Sequence, residues 1–460
     1  MPKPLPPEFP PDFLWGVATS AYQIEGAAAV DGRKPSVWDT FSQKWGRTKD
    51  GKTGAVACDH YHRFEEDIQL MVALGVKQYR FSIAWPRVIP DGRGQVNAAG
   101  IDFYSRLVDR LLANNIDPVP TLYHWDSPQA LEDRYGSWQS REMAQDFADY
   151  ASVVVSALGD RIDRWITLNE ITCFTHLSYD PGQTPEHAPG KRVKTKQEVW
   201  QTVHHALLAH GLGVQAIRAA SPKPCKVGLV DNFGVTVPLT ETPEDIAAAQ
   251  AAFPYHCGNG GIIYPAIAGR YHPGLLTELG ANAPAIAQGD EAIIHQPLDF
   301  LGLNIYTGCY IRAADNDKGC DWLRFPPGYP RLDMPWLHLV PESLYWGIRH
   351  VSETLGRPDL PLFITENGCA AQDERTPQGE IIDSDRILYL RQYLQGVARA
   401  AREGYPISGY YLWSLLDNFE WSWGYSKRFG IIFVDYKTQA RIQKASYHWY
   451  AACIKAGRVL

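Results

Sequence analysis

No Cys-x-x-Cys pair and no close Cys/His grouping occurs among the eight cysteines (Cys58, Cys173, Cys225, Cys257, Cys309, Cys320, Cys369, Cys453), which excludes a zinc site and leaves reduced, mostly buried thiols as the expectation. No apolar run is long enough to cross a bilayer, so neither a membrane span nor a membrane partner is expected. The stretch MPKPLPPEFPPDFLWG is rich in proline and lacks the continuous apolar segment of a signal peptide, which predicts a cytoplasmic protein. Positive charge is also short: 44 Lys and Arg stand against 51 Asp and Glu, for a formal net charge of -7. Nucleic-acid binders need a basic surface to displace counterions, so a polyanionic partner is excluded. The largest basic cluster, Lys191 to Lys196, reads as a solvated loop. No Gly-x-Gly-x-x-Gly or Walker loop follows an early strand, and no Ser/Gly-rich linker or break in composition divides the chain. A single domain over residues 1–460 is therefore expected.

What the chain does have is a recurring unit: a short apolar, β-branched or aromatic segment, then a longer stretch with apolar residues at helical spacing. The segments are Phe13 to Ala18, Gln78 to Trp85, Pro118 to His124, Arg164 to Asn169, Lys226 to Asn232, Phe300 to Tyr306, Pro361 to Thr365 and Gly409 to Ser414. Helices are predicted over 60–74, 100–114, 141–158, 196–220, 342–355, 385–402 and 444–456, with Ser384 as the cap of the sixth and Ile101, Tyr104, Leu107, Val108, Leu111 and Leu112 on one face of the second. Strands buried on both faces and alternating with helices require parallel pairing through right-handed crossovers, and eight such units close without leaving an edge. The fold expected is a (β/α)8 TIM barrel with extended βα loops; an open doubly wound sheet is the runner-up. The stretches 43–56, 180–195 and 313–340 are the expected insertions.

In a barrel of this kind chemistry sits at the carboxyl ends of the strands. The polar and aromatic residues there are Gln23, Arg80, His124, Trp125, Asn169, Glu170, Asn304, Tyr306, Glu366, Asn367, Trp413, Glu420 and Trp421. A lone carboxylate after a strand is ordinarily a solvated loop residue or a helix cap. Two at equivalent places, Glu170 on the fourth strand and Glu366 on the seventh, suit glycoside cleavage, in which one carboxyl protonates the departing oxygen and the other attacks the anomeric carbon or activates water. In PLFITENG, Leu362, Phe363 and Ile364 anchor the strand and Asn367-Gly368 turns the chain, which leaves Glu366 at the mouth as nucleophile. Arg80, pointing into the same mouth, would keep it ionised, and Glu170 takes the acid/base role. The 15 Trp, 24 Tyr and 16 Phe provide rings for the apolar faces of a sugar.

FPPDFLWGVATSAYQIEGA, YRFSIAWPRVIPDG, YHWDSPQAL, TLNE, LGLNIY, LFITENG, GYYLWSLLDNFEW and YSKRFGIIFVD occur in this order across nearly the whole chain. Together they resemble the glycoside hydrolase family 1 β-glycosidases. The resemblance implies a retaining β-glucosidase that tolerates β-galactosides and β-fucosides, acts on a small-molecule β-glycoside and needs no cofactor or metal. It implies that Gln23, His124, Asn169, Glu420 and Trp421 hold the non-reducing sugar, with Asn169 near the 2-hydroxyl and Gln23 and Glu420 near the 3-, 4- and 6-hydroxyls. Trp413 would stack under that sugar, Arg80 and Tyr306 would position the nucleophile, Trp336 would form an aromatic wall for the aglycone, and Trp125 and Asn304 would support the site. Ile171 stands where the family commonly has proline, and the loop 180–190 is longer than usual. Proline would restrict the backbone of its predecessor, so Ile171 permits Glu170 a different path.

Members of the family that cleave 6-phosphorylated sugars carry a Ser, Lys, Tyr set in the final loop. Of these only Lys427 is present; Glu420 and Phe429 occupy the other two places, and a carboxylate there would repel a phosphate. A non-catalytic sugar-binding module is disfavoured because both carboxylates are present. Transglycosylation differs only in whether water or a sugar hydroxyl intercepts the glycosyl-enzyme. The oligomeric state is not legible in the sequence.

Overall fold

The computed structural model describes residues 8–182 and 186–460. The first residues of the proline-rich terminus and residues 183–185, within the loop expected to be long, lie outside the described residues. Eight parallel strands close into a barrel: β1 (Leu14–Ala18), β2 (Gln78–Ser82), β3 (Asp117–Tyr123), β4 (Arg164–Asn169), β5 (Lys226–Asn232), β6 (Phe300–Asn304), β7 (Leu362–Asn367) and β8 (Ile407–Trp413). Each pairs with its sequence neighbours, and β8 returns to β1 in the register Leu14↔Gly409 through Ala18↔Trp413. The strands are buried almost throughout, which is why they read as unbroken apolar runs.

The outer ring is formed by α1 (His60–Leu74), α2 (Ala98–Ala113), α3 (Glu142–Leu158), α4 (Lys196–Ala220), α5 (Asn259–Ala268), α6 (Ser343–Thr354), α7 (Ser384–Arg402) and α8 (Ala445–Ala456). In α2 the buried face is Gly100, Phe103, Tyr104, Leu107, Val108 and Leu111, so the apolar stripe is rotated slightly from the expected one and Ile101 and Leu112 lie at its margins. The expected cap Ser384 is instead the first residue of α7. Asp383 precedes it and makes no local cap, because its carboxylate accepts from Arg386 and from the N–H and Oγ of Ser446 at the start of α8. A tertiary contact has replaced local capping here.

The expected strand ends shift where other chemistry takes over. β2 stops at Ser82 because Trp85–Val88 turns into a short helix with Pro86 in its first turn. β7 runs on through Asn367, so Glu366 lies inside the strand and not after it. The pairing of β7 with β6 slips by one residue between Ile364 and Glu366, and that of β4 with β5 slips between Ile166 and Asn169. Such bulges re-aim side chains, and both occur just before the two carboxylates.

Gly368 is required by close approach rather than by a turn conformation. A Cβ there would sit 1.7 Å from the Trp413 carbonyl oxygen. Asn367, expected to turn the chain, instead braces it: its Nδ2 donates to the Ile305 carbonyl at 2.8 Å and to the Tyr389 hydroxyl at 2.9 Å.

The loop excursions are more ordered than expected. Thr236–Pro238, Cys309–Ala313 and Cys320–Trp322 form a small sheet beside the barrel mouth, and Ile432–Val434 pairs with Arg441–Gln443. No helix among the described residues is long and apolar enough to cross a membrane.

Candidate active site

Glu366 is buried in the mouth with both carboxylate oxygens engaged. Arg80, from β2, donates to Oε1 at 2.5 Å, and the hydroxyl of Tyr306 donates to Oε2 at 2.7 Å. A buried carboxylate needs such partners, because charge-assisted hydrogen bonds offset the loss of hydration. Arg80 also donates to the Thr365 carbonyl at 3.2 Å and, through Nη2, to Asn169 Oδ1 at 2.5 Å. One guanidinium thus ties β2, β4 and β7 together at the level where the expected chemistry occurs.

The network continues to Glu170. Asn304 donates from Nδ2 to Asn169 Oδ1 at 3.0 Å and to Glu170 Oε1 at 2.7 Å, while its own carbonyl oxygen accepts from Thr365 Oγ1 at 2.7 Å. Glu366, Arg80, Asn169, Asn304 and Glu170 therefore form one continuous polar chain. Glu170 holds a left-handed backbone (φ 53, ψ 73), as do Trp125 and Trp421 (φ 76 and φ 47). Non-glycine residues in this region cost about 1–3 kcal/mol each and persist only where the surroundings dictate them.

Burial, and then the neighbouring Glu366, push the Glu170 carboxyl up to about 8, so it keeps its proton near neutral pH. Burial and Glu366 likewise push Glu420 up to about 8. Burial and Arg80 hold the His124 imidazole well below its ordinary value, so it is neutral. Asn169 Nδ2 lies 3.2 Å from His124 Nε2, which makes that nitrogen the acceptor and Nδ1 the protonated one.

On the opposite wall Gln23 accepts from Ser20 Oγ at 2.6 Å and donates to Asn418 Oδ1 at 3.0 Å and Glu420 Oε2 at 3.4 Å. The rings of His124 and Trp413 lie nearly parallel at 5.9 Å, and Trp421 packs on Trp125 at 4.5 Å. Trp125 also donates from its indole to the Asn169 carbonyl at 2.9 Å, which holds the backbone next to Glu170. Trp336 stands edge-on to Tyr306 at 5.7 Å and is 44% exposed, at the outer rim; Phe429 meets the same ring edge-on at 6.2 Å. Lys427 is paired with Asp333 at 2.8 Å.

The expected residues lie in this network or pack beside it, with Trp336 at the exposed rim. Sequence reading passed over Asn418, which fixes Gln23, and Trp38, whose ring backs Trp421 at 4.5 Å. Asn418 stood inside the quoted GYYLWSLLDNFEW segment, so proximity to Glu420 was the available signal.

The arrangement offers one carboxylate held from both sides, a protonated one nearby, and a wall of polar and aromatic side chains. Tyr306→Phe removes one of the two partners of Glu366 while leaving its packing, and a drop in kcat of about 10- to 100-fold with a folded barrel is expected; steady-state kinetics with an aryl glycoside check this.

A family model described as Glycosyl hydrolase family 1 matches residues 5–458. A 1,4-beta-D-glucan glucohydrolase of Thermotoga neapolitana is 43% identical, with 97% of this chain and 98% of that one covered. A bifunctional beta-D-glucosidase/beta-D-fucosidase of Bifidobacterium breve is also 43% identical, over 96% of this chain and 97% of its own. Among solved structures, a beta-glucosidase from Thermotoga maritima in complex with glucoimidazole superposes with a TM-score of 0.88 at 42% identity, covering 98% and 99% of the two chains.

Proposed function

Since the chain belongs to glycosyl hydrolase family 1, whose members are retaining glycoside hydrolases, we propose that it removes terminal β-D-glucosyl residues from cello-oligosaccharides and from aryl or alkyl β-glucosides, with Glu366 as nucleophile and Glu170 as acid/base. The observation that carries the reading is the continuous network from Glu366 through Arg80, Asn169 and Asn304 to a protonated Glu170.

In the first step a Glu366 oxygen bonds to the anomeric carbon as the bond to the aglycone oxygen breaks, and Glu170 gives its proton to that oxygen. Glu366 is then a neutral ester. The charge that helped keep Glu170 protonated has gone, so Glu170, now ionised, takes a proton from water as the water oxygen attacks the same carbon and frees Glu366. Two inversions return the β-anomer.

Gln23, His124, Asn169, Glu420, Trp421 and Trp413 form the glucosyl subsite. Glu420, which keeps its proton near neutral pH, can donate to and accept from free hydroxyls, and it offers no positive charge to a 6-phosphate. The pairing of Lys427 with Asp333 further removes the one cation expected to meet such a phosphate. The Bifidobacterium breve relative's named β-fucosidase activity fits tolerance at the 6-position. A cytoplasmic setting suits the eight free thiols.

Proton NMR during hydrolysis of p-nitrophenyl β-glucoside should show β-glucose as the first-formed sugar, with the 6-phosphoglucoside turned over at least about 100-fold less well. Initial release of α-glucose, or turnover of the phosphorylated substrate alone, contradicts the reading.

A further inference from the structure

Asp231, near the carboxyl end of β5, is only 2% exposed. Its strand lies directly beside the one that carries Glu170: Val230 pairs with Asn169, and the Val230 carbonyl accepts the Glu170 N–H at 3.0 Å. The Asp231 carboxylate accepts the N–H of Asn232 at 2.8 Å and faces the N–H groups of Ile171 and Thr172. Those are the opening residues of the short helix Ile171–His176, which begins immediately behind Glu170. Glu170 occupies the cap position of that helix but makes no side-chain cap, since its carboxyl is turned into the cleft toward Asn304. The first amides of a helix need acceptors, and a carboxylate there is also favoured by the helix dipole. Asp231, on the next strand, stands as a carboxylate facing those amides. Ile171 matters for this contact, because proline in its place would have no N–H to offer.

We propose that Asp231 is a positioning residue for Glu170: it fixes the left-handed turn that aims the acid/base carboxyl into the cleft, and its negative charge favours the protonated form that glycosylation requires. The proposal rests on the reading of Glu170 as acid/base. The groups that face Glu170 are Glu366 from β7, Asp231 from β5, the amide of Asn304 from β6, Tyr306 just beyond β6 and the Cys173 thiol from its own short helix. Those that face Asp231 are the three amides, Glu170, Cys173 and Cys257. Burial pushes the Asp231 carboxyl up to about 7, so its charge is present above that pH, where Glu170 would otherwise be losing its proton.

Asp231→Asn keeps the shape and an acceptor for the amides but removes the charge. The alkaline limb of kcat/KM for cellobiose should move to lower pH by about half a unit to one unit, with a fall of about two- to six-fold at pH 8. Turnover of 2,4-dinitrophenyl β-glucoside, whose leaving group departs without a proton, should change by less than about two-fold. Ile171→Pro deletes one N–H from Asp231, makes it harder to ionise, and should move the same limb in the same direction by less; it answers the question even if Asp231→Asn does not fold. An alkaline limb that stays in place, or moves up, in the folded variants overturns the role of Asp231. A separate control guards the premise: Glu170→Gln with an unchanged ratio of cellobiose to dinitrophenyl glucoside turnover would overturn the acid/base reading itself.

Discussion

Glu366→Gly is expected to lower kcat by roughly 10^5-fold, because among the described residues of the network no other carboxylate is held at both oxygens to form the covalent intermediate. Arg80 and Tyr306 grip the two oxygens of Glu366 at 2.5 and 2.7 Å, so its attack needs no reorganisation, and nothing else in the network shares that arrangement. The glycine variant leaves room where the carboxylate stood. Azide entering that space attacks from the α face, Glu170 still protonates the aglycone, and one inversion yields α-glucosyl azide. Turnover regained with azide and an α-configured product, read by NMR, are the expected results. Because the substitution also strands Arg80 without its main anion, a loss of stability of about 3–5 kcal/mol should accompany it, which thermal unfolding checks.

Glu170→Ala is expected to act differently on different leaving groups. For cellobiose, whose departing hydroxyl requires a proton, kcat/KM should fall about 10^3- to 10^4-fold; for 2,4-dinitrophenyl β-glucoside it should fall far less, and slow breakdown of the glycosyl-enzyme then limits kcat. Azide needs no base, so it accelerates that second step and gives the β-azide, the opposite anomer from the Glu366 variant. The pH profile carries the same information. Burial and the charge of Glu366 raise the Glu170 carboxyl to about 8, so the active, protonated form is complete well below that value and is lost as the pH rises through it. Wild-type kcat/KM should decline above about pH 8, and the Glu170→Ala enzyme should lose that limb.

The barrel was legible because each strand is buried on both faces and each helix on one, which writes two different periodicities into the chain. Both carboxylates were legible for a related reason: TLNE and LFITENG put a charge at the end of an apolar run where only a catalytic face would tolerate it. The local details were not. That Glu366 lies within β7 depends on a one-residue slip against β6, and the need for glycine at 368 depends on the Trp413 carbonyl of the next strand. Asp383 abandons local capping for Ser446, more than 60 positions away. Asp231 likewise acts on Glu170 across a strand pair, and nothing in its own neighbours along the chain, VDN, marks it. Contacts made across strands leave no periodic trace in the letters.

The covalent step can be caught directly. A 2-deoxy-2-fluoro-β-glucoside with a dinitrophenolate leaving group reacts readily in the first step, while the fluorine slows the second, so the glycosyl-enzyme accumulates; peptic digestion and tandem mass spectrometry then locate the sugar. It should be found as an ester on Glu366 within PLFITENG, and inactivation should be relieved as the label is released. A label on Glu170, or rapid turnover with no adduct and α-configured product, would contradict the account.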